Sequence, residues 1–158
     1  MSRTPITKSG YEKLKQELTH LKKVEVPENI RDIEEARAHG DISENAEYAA
    51  AKERQSFIQG KIQELNNNLA NSAIIDLKDL TDDRIVFGAT VTIEDVNTAE
   101  VTKYQLVGPF ESDINENKIS VTSPIGRALI GKEVGDAVKV KTPGGMRELE
   151  IVDIAIEL

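Results

Sequence analysis

From Tyr11 to Leu69 the apolar side chains recur every three or four residues, and one short acidic turn divides the run in two. That spacing puts successive apolar groups on one face of an α-helix. Two long helices joined by a few residues must lie antiparallel. Helical period and short connection together restrict the first half of the chain to a helical hairpin. The turn is Ala38-His39-Gly40-Asp41-Ile42-Ser43-Glu44-Asn45-Ala46-Glu47-Tyr48, with one glycine and the carboxylates of Asp41, Glu44 and Glu47. Only Ile42 and Tyr48 in it are large and apolar.

Thr7 is placed to cap the first helix, and Tyr11, Leu14, Leu18 and Leu21 form its stripe. The stripe then loses phase: Glu25 and Glu28 stand where apolar residues are due, and the pattern resumes at Val26, Ile30 and Ile33. Pro27 lies in the gap, has no N–H for the carbonyl of Lys23, and crowds that carbonyl with its ring. The expectation is a helix that continues with a kink at Pro27 rather than one that stops and restarts. The second helix is expected from about Glu44 to Asn71, with a seam through Tyr48, Ala51, Gln55, Ile58, Ile62, Leu65 and Leu69. Gly60 falls outside that seam and is expected to be exposed. At 1.5 Å per residue, roughly 30 residues make a rod of about 45 Å. Its seam thins towards the turn, so the tip is expected to be slender.

After Ser72 the period changes to two. Strands are expected over 84–93, 100–107, 118–122, 137–141 and 147–154, with Thr142-Pro143-Gly144-Gly145 turning between the last two. Pro124 to Ile130 is long enough only for a short helix. The fold class is therefore α+β: an N-terminal antiparallel helical hairpin (1–76), then a small antiparallel-sheet domain (77–158), linked over Asp76 to Asp83.

Charge separates the halves. The net charge is −8, yet Met1 to Lys78 carries 12 Lys and Arg against 13 Asp and Glu, while Asp79 to Leu158 carries 8 against 15. Neither half is basic, which argues against unaided duplex binding and for a protein partner. Cysteine is absent, which excludes disulfides, thiolate metal sites and cysteine nucleophiles. No apolar run is long enough for a signal peptide or a membrane span, so the expectation is a soluble, cytoplasmic protein with no membrane partner.

The turn is the foremost candidate site. Asp41 and Glu44 are three apart, a spacing that puts both carboxylates on one side of a turn. Such a pair can share a divalent cation of the Mg²⁺ type, which takes few carboxylates and keeps several waters. The same spacing is a capping box, with Asp41 as N-cap and Glu44 at N3 of the second helix. Arg37 and Lys52 flank the turn and could touch a phosphate chain, or simply be solvated. His20 and His39 have no partner at ligand spacing. Ser123 heads an apolar stretch, but no His lies in that half to make a Ser-His-Asp arrangement.

With these residues laid out, the chain resembles the GreA/GreB family of bacterial transcript-cleavage factors over its whole length. The resemblance rests on Glu35-Ala36-Arg37-x-His39-Gly40-Asp41-x-x-Glu44-Asn45-Ala46-Glu47-Tyr48 at the turn. In the second half it rests on Ile85-Val86-Phe87-Gly88-Ala89-Thr90-Val91, Ser123-Pro124-Ile125-Gly126-Arg127-Ala128-Leu129-Ile130-Gly131-Lys132 and Lys141-Thr142-Pro143-Gly144-Gly145. It implies a coiled-coil hairpin and an FKBP-like domain that docks at the rim of the RNA polymerase secondary channel. By the resemblance, Asp41 and Glu44 help hold a second Mg²⁺ in the polymerase active site and position the attacking water. The free protein is expected to bind no metal stably and to be no enzyme by itself. Arg37 and Lys52 contact the 3′ end of backtracked nascent RNA, and Ser123, Pro124, Ile125, Gly126 and Arg127 dock on the polymerase. The family often has Arg where this chain has Lys52, which keeps the charge but loses the bidentate fork. A monomer is expected.

Rival readings are a Gre-like inhibitor of the same channel, a prolyl isomerase or chaperone, and a structural coiled coil. Retention of Asp41 and Glu44 counts against the first. The second wants an aromatic-walled pocket, and the sheet half offers only Phe87, Tyr104 and Phe110. The third has no need of an acidic turn with Gly40.

Overall fold

The computed structural model describes residues 3–41 and 45–157, without the side chain of Asp79. It divides into two compact units: the chain up to Tyr11 together with that from Ser72 onward, and Glu12–Asn71 between them.

The helical unit is built from α1 (Lys8–His20), which begins in the other unit, a π-helical turn (Leu21–Glu25), α2 (Val26–Ala38) and α3 (Ala46–Ala70). The π turn explains the loss of phase in the sequence. A seam through Leu14, Leu18 and Leu21 would continue at 25, 28, 32 and 35, all of them acidic residues. One extra residue in the turn moves it to Val26, Asn29, Ile33 and Ala36, and the last three are buried while Val26 is half-buried. The amide of Val26 donates to Leu21 O, five residues back, and Pro27 enters at the start of α2, where a missing N–H costs least. The disturbance at Pro27 is therefore taken up by a wider turn of continuous helix. One expectation fails here: Ile30 is 47% exposed, and Asn29 takes its place inside at 2%.

On α3 the buried residues are Ala51, Ile58 and Leu65, with Tyr48, Gln55, Ile62 and Leu69 half-covered between them. These are the seven seam positions, and Gly60 is exposed. Polar ties cross the seam: Asn29 Nδ2 donates to Ala51 O at 3.0 Å, Arg54 lies 3.4 Å from Glu25, and Lys61 lies 4.0 Å from Glu17.

The sheet unit holds a five-stranded sheet in the order β5-β4-β3-β7-β6. Its strands are β3 (Thr90–Asp95), β4 (Val101–Val107), β5 (Lys118–Ser120), β6 (Ala137–Thr142) and β7 (Gly145–Ala155). All neighbours are antiparallel except β4 and β5, which run parallel. A bulge between Thr92 and Ile93 skips Val152 in the β3–β7 register. The strand expected from Arg84 starts only at Thr90, because Gly88 at φ +86° turns the chain. Ile85 is instead held by hydrogen bonds to Gly131 and Lys132 and is buried. The short helix α4 (Pro124–Leu129) lays Leu129 on the core formed by Val91, Ile93, Leu106, Leu149 and Ile151.

A second, two-stranded parallel sheet pairs β1 (Thr4–Thr7) with β2 (Ser72–Ile75). Thr7 caps α1 as the sequence predicts, its hydroxyl accepting from Gly10 N at 3.0 Å. Glu111 secures this corner: its carboxylate accepts from Thr7 N at 2.8 Å, from Gly108 N at 3.1 Å and from the Thr7 hydroxyl. A side chain on Gly108 would run into the carbonyl of Pro5. Among the described residues no helix is long and apolar enough to cross a membrane.

Candidate functional site: the acidic turn

The turn begins where α2 ends. His39 is its C-cap, with its amide 3.3 Å from Ala36 O. Gly40 follows at φ +128°, a conformation rarely adopted by residues with a side chain. Asp41 is exposed and shares a shallow depression with His39, Asn45 and Glu47. Glu44, the second predicted carboxylate, lies outside the described residues.

The start of α3 corrects one of the two readings offered for Asp41. Its N-cap is Asn45, whose Oδ1 accepts from Tyr48 N at 3.0 Å. Asp41 stands four positions earlier and is not the N-cap of α3. The sequence signal for Asn45 was present: Asn ranks with Asp and Ser as an N-cap. It was masked by a carboxylate pair at capping-box spacing.

Asn45 does more than cap. Its Nδ2 donates to Ala36 O at 2.5 Å, so one amide serves an unpaired N–H of α3 and a terminal carbonyl of α2. Two exposed ties flank it. His39 Nδ1 lies 3.0 Å from Glu47 Oε2, and the Arg37 guanidinium sits 5.8 Å from the centre of the Tyr48 ring. Arg37 is thus turned towards α3, within cation–π range. Lys52, the other flanking cation, is exposed and donates to Gln55 Oε1 at 2.8 Å. Among the described residues no three His, Asp or Glu side chains converge into a metal site.

The stretch from Ser123 to Arg127 lies in the sheet unit and is treated by itself. Ser123 caps α4, accepting from Gly126 N at 3.0 Å and donating to Ser120 O at 2.6 Å. Gly126 is buried, and a side chain there would strike the Ser120 carbonyl, so glycine lets α4 lie against the end of β5. Ser123, Pro124 and Ile125 line an open, mainly apolar groove of about 490 Å³ with Tyr104, Ile114 and Pro143. Lys118, Lys141 and Arg147 border it. Arg127 points elsewhere, into a second groove with Phe87, Val121 and Ile130. The five predicted docking residues are thus split: three on one groove, one on another, one beneath the surface.

A helical hairpin closed by an acidic turn, with a separate sheet unit carrying apolar grooves, defines a protein that bears the candidate acid Asp41 at its surface. Residues 4–74 match the family described as transcription elongation factor, N-terminal, and residues 80–156 that described as transcription elongation factor, GreA/GreB, C-term. The chain is 71% identical over 156 residues to transcription elongation factor GreA of Syntrophus aciditrophicus (strain SB), covering 99% of this chain and 97% of that protein. It is 53% identical over 154 residues to the GreA of Syntrophobacter fumaroxidans (strain DSM 10017 / MPOB), covering 98% and 99%. The solved structure of GreA factor homolog 1 (Gfh1) of Thermus thermophilus is 31% identical, covers 97% of this chain and 99% of that one, and superposes with a TM-score of 0.44. The chain belongs to the GreA/GreB family of transcription elongation factors.

Proposed function

We propose that this protein is a transcription elongation factor that enters the secondary channel of bacterial RNA polymerase and stimulates cleavage of backtracked nascent RNA. The observation that carries this reading is the exposed Asp41 carboxylate in the turn that closes the hairpin, in a chain of the GreA/GreB family. Asn45, not Asp41, is the N-cap of α3.

In this reading the protein is not a catalyst alone. Asp41 and Glu44 are brought to the polymerase active site, where they orient the attacking water and add oxygen ligands. Hard carboxylate oxygens with room for water suit Mg²⁺, which when bound supplies charge neutralisation at the attacking and leaving oxygens of the phosphodiester. Arg37 and Lys52 hold the phosphates of the extruded RNA. The Arg37 guanidinium lies within cation–π range of Tyr48, while Lys52 offers a point charge on a flexible stem. Docking falls to the sheet unit, at the groove headed by Ser123 and at Arg127. Its apolar floor and its border of Lys118, Lys141 and Arg147 suit an apolar polymerase surface edged with acids.

The test is to add the protein to a stalled, backtracked elongation complex and resolve the transcripts. The proposal expects shortened transcripts and released 3′ fragments. Transcripts of unchanged length at saturating protein would contradict it.

A further inference from the structure

We infer that Asn45 is the positioning residue of the acidic turn: its side-chain amide ties the last turn of α2 to the first turn of α3 and so fixes the span from which Asp41 is presented. The inference rests on the proposal that the turn's carboxylates serve cleavage.

The geometry leaves the amide one orientation. Tyr48 N–H can only donate, so Oδ1 faces it at 3.0 Å, and Nδ2 is left to face Ala36 O at 2.5 Å. Ala36 O also receives His39 N–H at 3.3 Å, so the outgoing end of α2 is tied both to the turn and to α3. Among the described residues three ties join the helix ends, and they are unequal. His39 and Glu47 are 62% and 70% exposed, so their attraction is weakened by water and salt. Arg37 is exposed, Tyr48 is half-buried, and the guanidinium lies 5.8 Å from the ring centre, a long-range contact. Asn45 is partly buried, neutral, and makes short bonds to main-chain groups on both helices. Its hold is insensitive to salt and acts on backbone.

Two substitutions separate holding from capping. Asn45→Ser and Asn45→Asp both keep a good N-cap acceptor. The carboxylate of Asp cannot donate to Ala36 O, and the hydroxyl of Ser is too short to span the gap. A misplacement of about 1 Å in reacting groups can cost about a hundredfold in rate. Both variants are therefore expected to keep helix content and to keep half-saturating concentration on the backtracked complex within about twofold, while maximal cleavage falls between about tenfold and a hundredfold. A readout independent of polymerase accompanies this. The chain has no cysteine, so spin labels can be placed on Glu34→Cys and Ala49→Cys, exposed positions on the two helices. The distance distribution is expected to be narrow in the parent and broad in both Asn45 variants. A distribution as narrow as the parent's, or a parental maximal rate in either variant, would overturn the role of Asn45. Asp41→Asn is assayed alongside: full cleavage there would defeat the proposed use of the turn, whereas the label distances judge Asn45 on its own.

Discussion

Asn29 and Ala51 are joined across the interior of the helical hairpin, the side-chain amide of one donating to the main-chain carbonyl of the other at 3.0 Å. A buried amide in a helical seam specifies register at a cost in stability. Asn29→Leu is expected to raise the unfolding free energy by about 1 kcal/mol, since Ala51 O keeps its place in the α3 ladder. Asn29→Ala, which leaves a gap as well, is expected to lose about 1–2 kcal/mol. Thermal melts followed by circular dichroism check both, and a stability loss in the Leu variant would contradict the account.

Asp95 links stability to pH in the sheet unit. Its carboxylate accepts from Asn97 N at 2.9 Å and Thr98 N at 3.2 Å, and Arg147 Nε lies 3.2 Å away. The Asn97 amide above all, then that of Thr98 and the guanidinium, hold its pKa below the ordinary value of 3.8. A carboxyl depressed in the folded state binds its proton more weakly there than in the unfolded chain. Its contribution is complete above the unfolded value and is lost as pH falls through the folded one. The parent is expected to be more stable than Asp95→Asn at pH 7, with the difference closing below pH 3.8. Melts from pH 7 to pH 2 measure this, and a constant difference would contradict it.

Much of the hairpin is legible in sequence because its apolar period is strong, and Ala51, Ile58 and Leu65 lie inside as that period requires. The type of irregularity near Pro27 is not legible. Proline announces that the i−4 bond is lost, but the seam shift that turns Ile30 outward depends on how many residues the distorted turn takes up. The strand expected from Arg84 failed because β-branched residues there suit a buried loop as well as a strand, and the fold bonds Ile85 to Gly131 and Lys132. The hold of Glu111 on Thr7 joins residues 104 apart and carries no local signal. At the turn, Asp41 and Glu44 were evident as carboxylates, yet their spacing also suggested a cap, and the residue that caps α3 is Asn45.

Arg127 is the exposed cation of the Ser123–Arg127 stretch, set in the groove with Phe87 and Val121. Arg127→Glu is expected to leave stability within about 0.5 kcal/mol, as for most exposed substitutions. Half-saturating concentration in the cleavage assay is expected to rise about tenfold, equivalent to about 1.4 kcal/mol of binding, at unchanged maximal rate. An unchanged concentration would remove Arg127 from the docking surface.

Mg²⁺ dependence tests the ligand role given to Glu44. With one tip carboxylate fewer, Glu44→Gln is expected to need a higher Mg²⁺ concentration for half-maximal cleavage, with partial recovery at excess metal. Cleavage rates titrated against Mg²⁺ for parent and variant measure it. An unchanged midpoint with a lower plateau would assign Glu44 to water positioning or base catalysis instead.

The central claim is that the acids of the turn act in cleavage and not in holding the hairpin together. The most direct measurement compares parent and Asp41→Asn at saturating concentration on one stalled, backtracked complex, with melting curves beside it. The substitution is expected to abolish stimulated cleavage while the variant still folds and competes with the parent for polymerase. A lowered melting temperature with cleavage retained would contradict the claim and return Asp41 to a structural role.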